Sequence, residues 1–163
     1  MTARRLQPVS GNAHKSETLQ GQNMPTDKTS FARQFIGSIP HSRELGMTIT
    51  EVSDGKAEIA MGYDTRFVGD PETGVIHGGA VSALMDTCCG TAVMSHPQVG
   101  GATATIDLRI DYMRAATPGQ TITARAECYH VTRTVAFVRA TTYDEDFDRP
   151  VATATGAFTV EKS

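Results

Sequence analysis

Residues 79–95 read Gly-Ala-Val-Ser-Ala-Leu-Met-Asp-Thr-Cys-Cys-Gly-Thr-Ala-Val-Met-Ser. Wound as a helix, this run places apolar side chains on almost every side, and a helix apolar all round has to lie inside the protein. A bilayer span needs about 20 predominantly apolar residues, so this shorter, polar-interrupted run is not one. The rest of the fold must therefore wrap around it.

The segments after the helix supply the wrapping. Ala104, Ile106, Leu108, Ile110 and Tyr112 alternate with Asp107, Arg109 and Asp111. Ile122, Ala124, Ala126 and Cys128 alternate with Thr123, Arg125 and Glu127, and Ala136, Val138 and Ala140 with Phe137 and Arg139. Period-two alternation predicts half-buried strands. Pro118-Gly119 and Thr132-Arg133 mark turns, residues 144–150 form an acidic loop, and 151–160 a final strand. Upstream, Met47 to Val52 reads as a strand, Asp54-Gly55 as a hairpin turn, and Ala57, Ile59 and Met61 as the returning strand. An antiparallel meander with one buried helix is an α+β architecture in which the sheet curls around the helix.

Residues 1–30 are polar and aperiodic and read as a disordered tail, leaving 31–163 as a single domain. Ser30 is placed to N-cap a short helix through Phe31, Phe35 and Ile36 that Pro40 ends. The net charge of -3 argues against a nucleic-acid partner, and no apolar run points to a membrane. Cys88, Cys89 and Cys128 are an odd set inside predicted core elements, which suits free thiols in the cytoplasm. They read as core filler. No His, Cys or acid spacing predicts a metal site.

The chemistry concentrates where the helix begins, at Gly74-Val75-Ile76-His77-Gly78-Gly79. A helix start offers unpaired backbone N–H groups and the positive end of a dipole. Asp86 comes nine residues after His77 in apolar surroundings, where a carboxylate is costly unless paired or used. Read structurally, Asp86 is an acid bonded to nearby backbone, and the two glycines permit close packing or a positive φ. Read functionally, they are a base or nucleophile and an oxyanion-binding turn.

With Ile110-Asp111-Tyr112-Met113-Arg114 downstream, these residues make the chain resemble the hotdog-fold thioesterases, in their PaaI-like acyl-CoA thioesterase branch, from about Met47 to Val160. The resemblance implies the hotdog fold, a long central helix wrapped by a curved antiparallel sheet. It implies hydrolysis of acyl-CoA to free acid and CoA, with coenzyme A entering as part of the substrate and no metal. Asp86 resembles the carboxylate that attacks the thioester carbonyl or activates water, and Gly78 the residue whose N–H holds the thioester oxygen. His77 beside them reads, from its own chemistry, as a positioning residue whose imidazole hydrogen-bonds the loop, with a general base as the alternative. Asp70 stands where many relatives carry Asn, and an ionised Asp cannot donate as an amide does. Gly79 and Thr105 are further substrate-side candidates, although strand parity sets Thr105 opposite Ile106 and Leu108 unless a bulge intervenes. Arg133, with Arg109 or Arg114, is a candidate for CoA phosphates. The acyl chain is expected along Val81, Leu84 and Met85. Relatives form homodimers or dimers of dimers, and the edge strand expected to pair is 102–114. Two other functions share this fold: non-catalytic acyl-CoA binding, and enoyl-CoA hydration or dehydration.

Overall fold

The computed structural model describes residues 28–161. The tail reading for residues 1–27 lies outside these. Its last three residues do not: helix α1 spans Lys28–Ser38, so Ser30 sits inside its first turn and is not its N-cap. A second short helix, α2, spans Pro40–Glu44. Strands β1 (Met47–Ser53) and β2 (Lys56–Met61) form a hairpin whose turn Gly55 closes at φ 72. Residues Thr65–Phe67 then make a 3-10 turn N-capped by Asp64. The short strands β3 (Val68–Asp70) and β4 (Val75–Ile76) pair with each other. They lead into the long helix α3, Gly78–Ser95. Strands β5 (Thr105–Tyr112), β6 (Ile122–Val131), β7 (Val135–Tyr143) and β8 (Ala152–Thr159) complete the chain.

Six strands form one sheet in the order β1-β2-β6-β7-β8-β5, antiparallel throughout. α3 lies in its concave side. Leu84, Met85, Cys88, Cys89, Ala92 and Val93 are 0% exposed, packed with Ile59, Ala124, Ala136 and Val138 of the sheet. Burying a side chain of Leu or Met size contributes about 1.5–3 kcal/mol relative to exposure, so this helix anchors the fold. The full burial of Leu84 and Met85 also corrects an expectation: these two side chains are core and do not line a path for an acyl chain.

The two sheet edges differ. At β1, α1 packs alongside and Arg33 Nε donates to the Ile49 carbonyl at 3.0 Å, next to a bulge. At β5 the edge is open, and Ile106, Tyr112 and Met113 there are 50–59% exposed. Exposed edges of this kind template pairing with another chain.

Parity along β5 is broken by a second bulge. Thr105 pairs with Phe158, but Asp107 already pairs with Ala157, so one residue is extra. Ile106 therefore turns outward, contrary to its alternation. The Asp107 carboxylate accepts the Ala157 N–H at 2.9 Å, and Gly156 leaves room: a Cβ there would sit 2.6 Å from the Asp107 carbonyl oxygen.

Candidate functional site

The helix start is built by its own side chain and by contacts from far along the chain. His77 is the N-cap of α3, and its Nδ1 accepts the Gly79 N–H at 2.9 Å. In that bond Nδ1 is the acceptor, a role that in a neutral imidazole makes Nε2 the donor. The His77 carbonyl accepts the Ala80 N–H. With Gly79 and Ala80 engaged, the Gly78 N–H is left with no hydrogen-bond partner among the described residues. Neither glycine has a positive φ. They are needed for close approach: a Cβ on Gly79 would fall 2.9 Å from His77 Nδ1, and one on Gly78 3.3 Å from the Tyr112 hydroxyl.

Asp86 sits two turns further along α3, half-buried, on the face the sheet leaves open. Thr105 Oγ1 donates to its Oδ1 at 2.7 Å. The β5 bulge makes this contact possible, by turning Thr105 onto the same face as Leu108, Ile110 and Tyr112. No guanidinium holds Asp86 among the described residues. Its charge reaches Cys89, whose thiol is pushed up to about 12, chiefly by burial and then by Asp86. Burial likewise lifts the Cys88 thiol well above its ordinary value. Thiols held protonated in this way are poor nucleophiles, in keeping with filler roles.

The remaining candidates are more dispersed. Asp70 closes its own turn: its carboxylate accepts the Thr73 hydroxyl at 2.6 Å and the Glu72 N–H at 3.1 Å, and these bonds lower its pKa. Its strand does touch the site, since a Cβ on Gly69 would lie 2.8 Å from His77 Cα. Arg133 is exposed in the β6–β7 turn. That turn meets β8 through Val160 N–H to Thr134 O, and Thr159 N–H in turn reaches Ala104 O, so Arg133 shares an end of the sheet with Thr105. Arg109 is paired with Asp111 at 2.9 Å in the open. Arg114 leaves the set of CoA candidates: both terminal nitrogens bind the Asp144 carboxylate, at 2.6 and 2.7 Å. Asp144 is 1% exposed, and Arg114's hydrogen bonds hold its carboxyl far below the usual range.

Two residues outside the sequence candidates complete the turn. Tyr112 donates its hydroxyl to the Gly78 carbonyl at 2.6 Å, and Ser82 lies 2.7 Å from that hydroxyl. The alternation of β5 marks Tyr112 as inward-facing, and Ser82 stands one helical turn beyond Gly78; together these were the available signals. A cavity of about 320 Å³ opens beside Gly78 and Tyr112, walled by Val75, Ile76, Val81 and Val151. A larger apolar one, about 660 Å³, lies between α1 and the end of α3, against Phe35, Ile36, Val52 and Met94. Among the described residues no cluster of three His, Cys, Asp or Glu could hold a metal. No helix there is long and apolar enough to cross a membrane.

A curled antiparallel sheet around one buried helix is the hotdog architecture. The sequence matches the thioesterase superfamily over residues 73–150. A crystal structure of a protein from Pseudomonas aeruginosa is 37% identical with TM-score 0.73, covering 82% of this chain and 98% of its own. A mutant of the phenylacetic acid degradation protein PaaI from Thermus thermophilus is 26% identical with TM-score 0.67, covering 76% and 100%. A Streptococcus mutans protein bound to acetyl CoA, 21% identical with TM-score 0.63 and coverages of 72% and 90%, shares the fold. Among curated proteins none matches. The chain belongs to the hotdog-fold thioesterase superfamily, in its PaaI-like branch. Its general activity is that of the acyl-CoA thioesterases and related hotdog enzymes.

Proposed function

We propose that this protein hydrolyses acyl-CoA thioesters, with Gly78 N–H polarising the carbonyl and Asp86 attacking it or activating water. The observation that carries this reading is the unpaired Gly78 N–H at the start of the helix whose open face presents Asp86. A preorganised donor at a developing oxyanion is worth about 2.7–4 kcal/mol. The acetyl-CoA-bound Streptococcus mutans structure supports coenzyme A as the carrier. Arg133, at the Thr105 end of the sheet, is the cation best placed for its phosphates, and Asp70 shapes the loop against His77.

The two groups belong to different chains. Eight residues of helix separate Gly78 from Asp86 by about 12 Å. Groups that each lie within about 3.5 Å of one carbonyl are no more than about 7 Å apart. Two-fold pairing of the open β5 edge closes the gap. Along β5, Tyr112 stands beside Gly78 and Thr105 beside Asp86. An antiparallel β5 pair centred between Leu108 and Arg109 sets Thr105 opposite the partner subunit's Tyr112. Asp86 then faces the partner subunit's Gly78. Each homodimer carries two such sites, and a dimer of dimers would carry four.

The hydratase reading needs a histidine base, and the His77 Nδ1 lone pair is taken up by the Gly79 N–H. Three buried free thiols suit a reducing, cytoplasmic setting. The test is thiol release across short, long and aromatic acyl-CoA substrates, with Asp86→Asn as control. Turnover abolished by the substitution is expected. Tight acyl-CoA binding without hydrolysis across the whole panel would favour the non-catalytic reading.

A further inference from the structure

The geometry points to Tyr112 and Ser82 as positioning residues that clamp the first turn of α3 and thereby aim the Gly78 donor. The inference rests on the thioesterase reading above. Two adjacent glycines loosen a helix, each costing about 1 kcal/mol relative to alanine in a helix interior through lost backbone freedom. A first turn that frays would scatter the N–H, whereas an oxyanion donor works because it is already in place.

The structure restrains this turn from both sides. On one, His77 Nδ1 takes the Gly79 N–H at 2.9 Å. On the other, the Tyr112 hydroxyl reaches the Gly78 carbonyl at 2.6 Å and the Ser82 hydroxyl at 2.7 Å, while Ser82 reaches the same carbonyl at 3.1 Å. A serine bonding back four residues is ordinary in helices. A tyrosine arriving from β5, 34 residues away, is a tertiary restraint. The clamp accounts for the small residues here: a Cβ at Gly79 would fall 2.9 Å from His77 Nδ1, and one at Gly78 would press on the Tyr112 hydroxyl at 3.3 Å. The Gly78–Gly79 peptide is thus pinned by its carbonyl at one end and its N–H at the other. The Gly78 N–H stays unpaired among the described residues. Because Tyr112 lies on the edge strand, the clamp also ties the donor to β5, the element that pairs in the proposed dimer.

The test compares Tyr112→Phe, Ser82→Ala, their double variant and Ser82→Thr in the full-length protein. Two readouts are taken: kcat and KM on the best acyl-CoA, and amide exchange of Gly79 and Ala80 by NMR. Losing one neutral hydrogen bond predicts kcat lower by roughly three- to tenfold in Tyr112→Phe. KM stays within about twofold, and both amides exchange faster. The double variant loses less than the product of the singles because both hydroxyls serve one carbonyl. Ser82→Thr restores the wild-type values. Unchanged exchange and kcat would overturn the clamp, as would a loss confined to KM, which would make Tyr112 a substrate contact. Should the wild type hydrolyse no acyl-CoA, the thioesterase reading fails by itself, and the exchange rates still decide the clamp. If Tyr112→Phe does not fold, exchange in Ser82→Ala decides the clamp in its place.

Discussion

Replacing Thr105 by valine removes one hydroxyl and keeps the β-branched shape, so it isolates the 2.7 Å bond to Asp86. The size of the effect depends on what covers that bond. In one chain Thr105 is exposed and Asp86 only half-buried, where a hydrogen bond is worth about 0.5–1.5 kcal/mol. Sealed under a partner chain, a bond to an ionised carboxylate is worth about 1.5–3 kcal/mol, or roughly ten- to 150-fold in rate. The dimeric site places it in the second range. A thiol-release assay on Thr105→Val should therefore show kcat/KM down by at least about tenfold, with folding intact by circular dichroism. Thr105→Ser should recover most of the loss, because it returns the hydroxyl. Activity of Thr105→Val within twofold of wild type would refute both the orienting role of this bond and its burial in the assembly.

Gly156→Ala puts a Cβ against backbone 2.6 Å away, so it should destabilise by at least the roughly 1–3 kcal/mol typical of overpacking. It should also shift the β5 bulge and lower activity, measured by urea denaturation and thiol release; a neutral result would contradict this origin of the bulge. Asp144→Asn breaks a buried ion pair with Arg114 and should cost roughly 3–5 kcal/mol at neutral pH. Because the folded carboxyl is held below its unfolded value of about 3.9, that stability is fully present above pH 4 and is lost as the pH falls further. Wild type and variant should converge at low pH in denaturant titrations. Sedimentation should give a two-fold oligomer at micromolar concentration, and a stable active monomer would contradict the shared site.

How much of this is legible in the sequence depends on the range of the interaction. The buried helix can be read from residues 79–95 because apolar character on all sides is a local property. The strands can be read from alternation, and the open edge from its place after the helix. The β5 bulge cannot. It is set by Gly156 and by the Ala157 N–H, 50 residues from the Asp107 carboxylate that binds it, and this contact turns Ile106 out and Thr105 in. Arg114 looks like any surface cation until Asp144, 30 residues on, arrives beside it. The glycines suggest close approach or positive φ, and only the fold shows which neighbours, His77 and Tyr112, demand it. The separation of Gly78 from Asp86 is implicit in helix geometry, and it points to a second chain before any assembly is seen.

The central claim is that one chain's Gly78 N–H and the other's Asp86 act on one carbonyl, and mixed dimers test it directly. Gly78→Pro deletes the donor where proline is tolerated, at the first helical position after an extended His77 (φ -59, ψ 133). Gly78→Ala carries the same Cβ and keeps the N–H, so it controls for crowding against Tyr112. Asp86→Asn and Gly78→Pro homodimers should each be nearly inactive, with Gly78→Pro down about 10²–10³ in kcat. Exchanged together at equal amounts, they should recover roughly a quarter of wild-type thiol release, since half the dimers are mixed and each mixed dimer holds one intact site. Recovery of no activity from verified mixed dimers would contradict the account, because it would place both groups of each site in a single chain.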